Sequence, residues 1–249
     1  MSKYKLFIIS ALILAWSTSC DNQATPSDNQ KDDSSQSENQ DEGSETPENE
    51  TSMSPQDFVP DEFAVFDKIF GDLNDDGQED CIVITKGTDP NQVVLDEYFG
   101  EMDRNRRGII VLFKDGNTYE QVAKNQSCFS SENEDGGVYF PPELSVEIKK
   151  GKLYVHYAHG RYGYWKYTFR YQENSFKLIG YDQTDTQGPV LHYEYSYNFL
   201  SARKLTKENI NFYSEHPEDE KIQETWEDLE KSKLITLSSI EDFDELHFD

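Results

Sequence analysis

Three stretches of this chain repeat one pattern: an alternating apolar run, a short polar turn, and a second alternating run. Residues 110–113 turn at Asp115-Gly116-Asn117 into 119–123, residues 144–148 turn at Lys150-Gly151-Lys152 into 153–157, and residues 167–171 turn at Glu173-Asn174-Ser175 into 176–179. A period of two puts alternate side chains on one face, so these stretches predict antiparallel hairpins with one wet side. Short β-branched runs at 81–85 and 108–113, bounded by turn residues, read as further strands. The turns recur at unequal spacing, which argues against a solenoid. Val93, Val94, Leu95, Tyr98, Phe99 and Met102 have helical spacing instead and predict a short helix before the turn at 103–107. Near the C-terminus Ile222, Trp226 and Leu229 fit one helical face while residues 233–237 return to strand character, and both readings stay open there.

Aromatic residues mark where this domain begins. Residues 21–56 contain none, and among apolar types only Ala24 and Met53; from Phe58 onward aromatics recur to the end. The acidic, Ser-, Asn- and Gln-rich stretch cannot form a core, and its many carboxylates against Lys31 should make it self-repel and extend as a tether. The domain boundaries expected are therefore a leader at 1–19, an acidic disordered tether at 20–56 and a β-rich domain at 57–249. The whole chain of 249 residues carries a formal charge of −26. Such a charge repels phosphate backbones, so a nucleic-acid partner is not expected, and cations or basic partners are favoured.

One motif carries chemistry. Gly71-Asp72-Leu73-Asn74-Asp75-Asp76-Gly77-Gln78-Glu79-Asp80 sets oxygen ligands at alternating positions, with a glycine for the sharp turn, and runs straight into a strand. Hard cations take six to eight oxygens at ~2.3–2.6 Å, and Asp72, Asn74, Asp76, the Gln78 carbonyl and Asp80 can close round one point. It is not an EF-hand, because the twelfth loop position is Val83, inside a strand. The string GDLNDDGQEDCIVI resembles the FG-GAP or VCBS type repeat of integrin-like β-propellers and many secreted bacterial proteins. That resemblance covers residues 71–85 and implies a structural calcium at Asp72, Asn74, Asp76, Gln78 and Asp80; propellers of the family carry the motif several times, and its single occurrence here points to one blade-like sheet or a partial propeller instead of a full one. With it, the expected fold class is mainly β, with antiparallel hairpins forming a blade-like or partial-propeller sheet and one or two short helices. A solvated turn without metal is the alternative.

The N-terminus reads as an address. Lys3 and Lys5 precede an apolar run at 6–16 broken only by Ser10. As a helix this run reaches about 16 Å at ~1.5 Å per residue, short of the ~30 Å needed to span a bilayer, so it reads as a signal peptide. Ser17, Thr18 and Ser19 before Cys20 resemble the lipobox of bacterial lipoproteins, although Ser17 stands where that family usually carries Leu. By that resemblance Cys20 would be lipidated and the domain tethered to a membrane in the cell envelope; Asp21 resembles an inner-membrane retention signal and the acidic tract behind it a surface-export signal, with outer membrane or cell surface expected ahead of inner membrane. An ordinary secretory signal with an incidental cysteine is the alternative. Cys81 and Cys128 then remain as a pair that either forms a disulfide or stays as buried thiols.

Residues 154–167 hold an aromatic strip in which Tyr154, His156, Tyr157, His159, Arg161, Tyr164 and Trp165 are candidate ligand-binding residues. Aromatic faces with polar tips suit sugar rings or peptide segments, and equally serve as cross-strand pairs of a sheet core. His156 and His159 lie an odd number apart and should face opposite sides of a strand. The acidic loop at 130–137 reads as solvated or as a second cation loop, and Arg104, Arg106 and Arg107 as a patch neutralising nearby carboxylates. No nucleophile-elbow, zinc-protease, P-loop or dinucleotide motif occurs. The expected function is a calcium-stabilised binding module with a protein or glycan partner. An inhibitor or immunity-type lipoprotein, and an envelope hydrolase using the strip, are the alternatives.

Overall fold

A computed structural model describes residues 53–133, 142–217 and 219–248. The leader, Cys20, all of the tether up to residue 52, and the 134–137 part of the acidic loop lie outside the described residues. Among the described residues no helix is long and apolar enough to cross a membrane. The alternating runs form strands β1 (Phe63–Gly71), β2 (Asp80–Gly87), β3 (Val93–Asp96), β4 (Gly100–Asp103), β5 (Arg107–Asp115), β6 (Thr118–Phe129), β7 (Glu143–Ile148), β8 (Leu153–Ala158), β9 (Gly163–Gln172), β10 (Ser175–Gln187), β11 (Val190–Asn198), β12 (Arg203–Asn209) and β13 (Ile222–Asp228). The helical pieces are single 3-10 turns of three or four residues. The fold is mainly β and antiparallel, as the hairpin pattern requires.

Short turns dictate the topology. Strands β7 to β13 lie side by side in sequence order as a seven-stranded meander, whereas β1-β2-β5-β6 form a four-stranded sheet and β3 pairs with β4 alone. At the β9–β10 turn Glu173 and Asn174 both take left-handed backbone angles, φ 51° and 56°. Such turns match the natural twist of the flanking strands and so fix their register.

The two larger sheets share one core. Ile82, Ile84, Ile109 and Val111 of the smaller sheet cluster with Leu153, Val155, Tyr157, Tyr167, Phe169, Phe176 and Leu178 of the meander. On the far side of the smaller sheet Cys81, Val83, Ile110 and Leu112 form a second cluster, covered by Phe58, Val59 and Tyr119. β2 and β5 are thus buried on both faces, which explains their unbroken apolar runs. β8 is buried on one face and alternates.

The C-terminal segment closes this core without forming a sheet strand. Leu237, Ile240 and Phe243 are buried in the shared cluster. Asn125 donates through Nδ2 to the carbonyls of Leu237 at 2.9 Å and Ile240 at 2.7 Å. Tyr167 Oη donates to the Phe243 carbonyl at 2.8 Å, and Arg106 pairs with Asp242 at 2.7 Å. Residues 233–237, read from the sequence as strand-like, form no ladder strand: Thr236 makes an isolated bridge to Lys177, the Ile235 carbonyl accepts from the Leu178 amide at 2.8 Å, and Leu237 opens a 3-10 turn.

One expectation changes and two open readings are decided. The helix expected over residues 93–102 is the β3–β4 hairpin, and the reason is local. Asp96 accepts from the Tyr98 and Phe99 amides at 2.8 and 3.0 Å, and Gly100 takes φ 79°, so the chain reverses where a helix would continue. The hairpin leaves Leu95, Tyr98 and Phe99 exposed at its tip. At the other end, residues 222–228 are strand β13 in register with β12, which decides the open reading against a helix. Cys81 and Cys128 are free, buried thiols in separate clusters, so the option of a disulfide is not taken. Burial pushes the Cys81 thiol up to about 11, and raises that of Cys128 as well.

Candidate functional site

The oxygen-rich loop joins β1 to β2 and is held by its own side chains. Asp72 Oδ2 accepts from the Gly77 amide at 2.9 Å, Asp76 Oδ1 from the Gln78 amide at 2.7 Å, and Asn74 Oδ1 from the Asp76 amide at 3.1 Å. Gly77 stands at φ 82°, which a side chain would oppose. Gln78 ties the loop to the β5–β6 turn, donating from Nε2 to the Lys114 carbonyl and accepting at Oε1 from the Gly116 amide. Asp80, fully buried, accepts from the Leu73 amide at 2.7 Å and the Lys114 amide at 2.9 Å. Burial raises its carboxyl above the usual range, and the two amides pull it back.

Two features of this loop bear on a cation. Among the described residues no three Asp, Glu, His or Cys side chains converge as a metal-ligand group. Against that, Asp72 Oδ1 is buried without a hydrogen-bond partner, in a loop whose other donors are all oxygens. An uncompensated buried carboxylate oxygen is costly, and a hard cation is the partner that an oxygen set of this kind fits. The residues present therefore fit calcium.

Strand alternation divides the aromatic strip. Tyr157 points into the core beside Phe129, while Tyr154, His156 and Tyr164 stand on the opposite face of β8 and β9. His156 lies over Tyr164 at 5.0 Å between ring centres. His159 is on the core side, packed on Trp165 at 3.8 Å, so the two histidines face apart as the spacing predicts. Arg161 lies in the 3-10 turn that follows β8, with its guanidinium 3.0 Å from Tyr162 Oη and its carbonyl accepting from Thr186 Oγ1. Of the seven candidates, His159 and Trp165 line one cavity together.

That cavity is a cleft of about 440 Å³ lined by His159, Tyr162, Trp165, Gln183, Thr184, Asp185 and Tyr195. The neighbouring inward row, Tyr167, Tyr181 and Tyr197, is buried, with Tyr181 and Tyr197 packed on Phe248 of the C-terminal segment. Trp165, Gln183 and Tyr195 lie in register across β9, β10 and β11, and Gly163 lies opposite Asp185. Gly163 has φ 110°, and a Cβ there would sit 2.1 Å from the Thr184 carbonyl, so this position accepts only glycine. Trp165 Nε1 and His159 Nε2 are buried without hydrogen-bond partners. Burial lowers the His159 pKa, which keeps its ring neutral at pH 7. Gln183, Thr184, Asp185 and Tyr195 escaped the sequence reading because they lie on the next two strands, beyond the strip at 154–167; their only signal is the alternation of β10 and β11.

The arginine patch has structural partners. Arg106 donates to the Ser127 carbonyl and pairs with Asp242, while Arg107 is buried, donates to the Ser130 carbonyl and lies 5.3 Å from the Phe66 ring. A larger open groove of about 730 Å³ lies beside Arg104 and Arg106, between residues 61–63 and 87–89.

No family model matches this chain, and no curated protein matches it. Among solved structures it is similar to a Xanthomonas type IV secretion system related protein, at 14% identity and a TM-score of 0.27. The likeness covers 64% of this chain and 57% of that one, so the chain spans little more than half of that protein's length.

Proposed function

We propose that the chain is a lipid-anchored cell-envelope protein whose calcium-stabilised β-rich domain is a binding module. The observation that carries the binding role is the cleft at Trp165, a concave aromatic surface with two buried polar atoms left without partners. In this reading Cys20 carries the lipid, and the acidic tether holds the domain clear of the outer membrane or cell surface. Asp72, Asn74, Asp76, the Gln78 carbonyl and Asp80 would hold calcium. The ion would supply charge neutralisation and stiffness at the β1–β2 junction rather than chemistry.

The inhibitor or immunity-type reading has one observation of its own. The β3–β4 tip presents Leu95, Tyr98 and Phe99 at 86%, 85% and 77% exposure, a shape suited to insertion into another protein. The hydrolase reading loses support because strand alternation sends His156 and His159 to opposite faces.

Two measurements test the proposal. Mass spectrometry of the membrane fraction should find mature chain beginning at an acylated Cys20; intact chain that keeps Met1 would refute the anchor. Thermal unfolding of the intact protein with 1 mM calcium and with chelator should differ by several degrees. At a concentration 100-fold above Kd the linkage is worth about 2.7 kcal/mol. The Asp72→Ala variant should lose that difference, and equal melting of the native chain in both conditions would remove calcium from the reading.

A further inference from the structure

We infer that the cleft at Trp165 binds a neutral sugar ring. The inference deepens the binding-module reading and rests on it. The walls are flat rings, Trp165, Tyr195, Tyr162 and His159. Such walls favour a flat ligand with apolar faces. Its edges must be polar, because the groups at the cleft are mixed. Trp165 Nε1 can only donate, and it has no acceptor. His159 Nε2 is likewise unpartnered. Asp185 accepts, with Oδ2 at 3.1 Å from His192 Nδ1 and the side chain half open to solvent. Gln183 Oε1 is already taken by Tyr181 Oη at 3.0 Å, so the nitrogen is the end of the amide that Tyr181 leaves.

Donors and acceptors round an aromatic slot suit hydroxyl groups, each of which donates and accepts at once. Other classes serve the site less well. An ammonium ligand could meet Asp185 and the ring faces but brings no acceptor for Trp165 Nε1. An anion would meet Asp185 and the field of a chain carrying −26 charges. A purely apolar ligand would leave both buried nitrogens unpaired. An extended peptide pairs best with an open strand edge, whereas this cleft lies on a sheet face between β9, β10 and β11, each paired on both sides.

Isothermal titration calorimetry tests the inference on the intact chain in a detergent without a sugar headgroup. The titrants are neutral oligosaccharides of glucose, galactose, mannose, xylose and N-acetylglucosamine, with tetramethylammonium and a neutral tripeptide as competing classes. At least one oligosaccharide should bind. Trp165→Phe keeps a ring but removes the N–H, and should weaken binding roughly three- to tenfold. Asp185→Asn, at an exposed position, should weaken it as well, and both variants should melt as cooperatively as the native chain. Trp226→Ala serves as the control, because Trp226 pairs with Leu205 on the opposite face of the meander and should leave binding unchanged. No binding by any of the oligosaccharides, stronger binding of the ammonium ion or the tripeptide, or unaltered affinity in Trp165→Phe would overturn the inference. Binding of one of the competing classes would overturn the sugar while keeping the binding module.

Discussion

Replacing Asp80 by alanine separates what this carboxylate does for the fold from what the loop does for a cation. Asp80 is fully buried, and its two oxygens receive the Leu73 and Lys114 amides at 2.7 and 2.9 Å. These two bonds clamp the β1–β2 loop to the end of β5. Truncation leaves two main-chain donors in a site too enclosed for bulk water, each costing about 1–3 kcal/mol, so Asp80→Ala should lose about 2–6 kcal/mol. Part of this is offset, because burial already penalises the charge and raises the Asp80 pKa. The loss should therefore fall in the lower half of that range, still a large share of the ~5–15 kcal/mol typical of a domain. Asp80→Asn keeps one acceptor but turns an N–H towards the other amide, and should cost less than the alanine. Equilibrium unfolding in urea, with chelator present throughout, reads the effect free of any metal. A shift below about 1 kcal/mol in Asp80→Ala would show that the clamp is not what holds the loop.

Phe243→Ala should cost about 3–5 kcal/mol by the same urea assay. Its fully buried ring lies 5.0 Å from Phe129 and 4.9 Å from Tyr167, so an unchanged midpoint would mean that the C-terminal segment does not close the core. Burial lowers the pKa of both His156 and His159, the former helped by nearby Lys166. Since the unfolded chain takes up these protons first, near pH 6.5, stability should fall as pH drops through that value towards the lower folded pKa values. His159→Gln should flatten that slope in unfolding experiments between pH 7.5 and 5, and a native profile no steeper than the variant's would refute the burial of the ring. Thiol titration with an aromatic disulfide should find Cys81 and Cys128 unreactive in the native protein and both reactive in denaturant without reductant. A further thiol in denatured protein from the membrane would identify Cys20 as unacylated.

The strands of this protein were legible in its sequence because a period of two survives whatever lies above or below a strand. That is why the hairpins at Gly116, Gly151 and Asn174 stand where alternation and turn chemistry put them, and why the opposite facing of His156 and His159 needed no coordinates. Residues 93–102 were ambiguous for a physical reason: their apolar spacing fits a helix as well as two short strands. The Asp96 turn and Gly100 tipped the balance towards strands. Tertiary structure alone decided which face of each strand is covered. Tyr157 and Trp165 lie opposite each other in the β8–β9 register, yet Tyr157 is buried in the shared core and Trp165 lines the cleft. The cleft is a product of strand pairing. It joins side chains from His159 to Tyr195 that pairing across three strands brings together, a juxtaposition that local sequence does not encode.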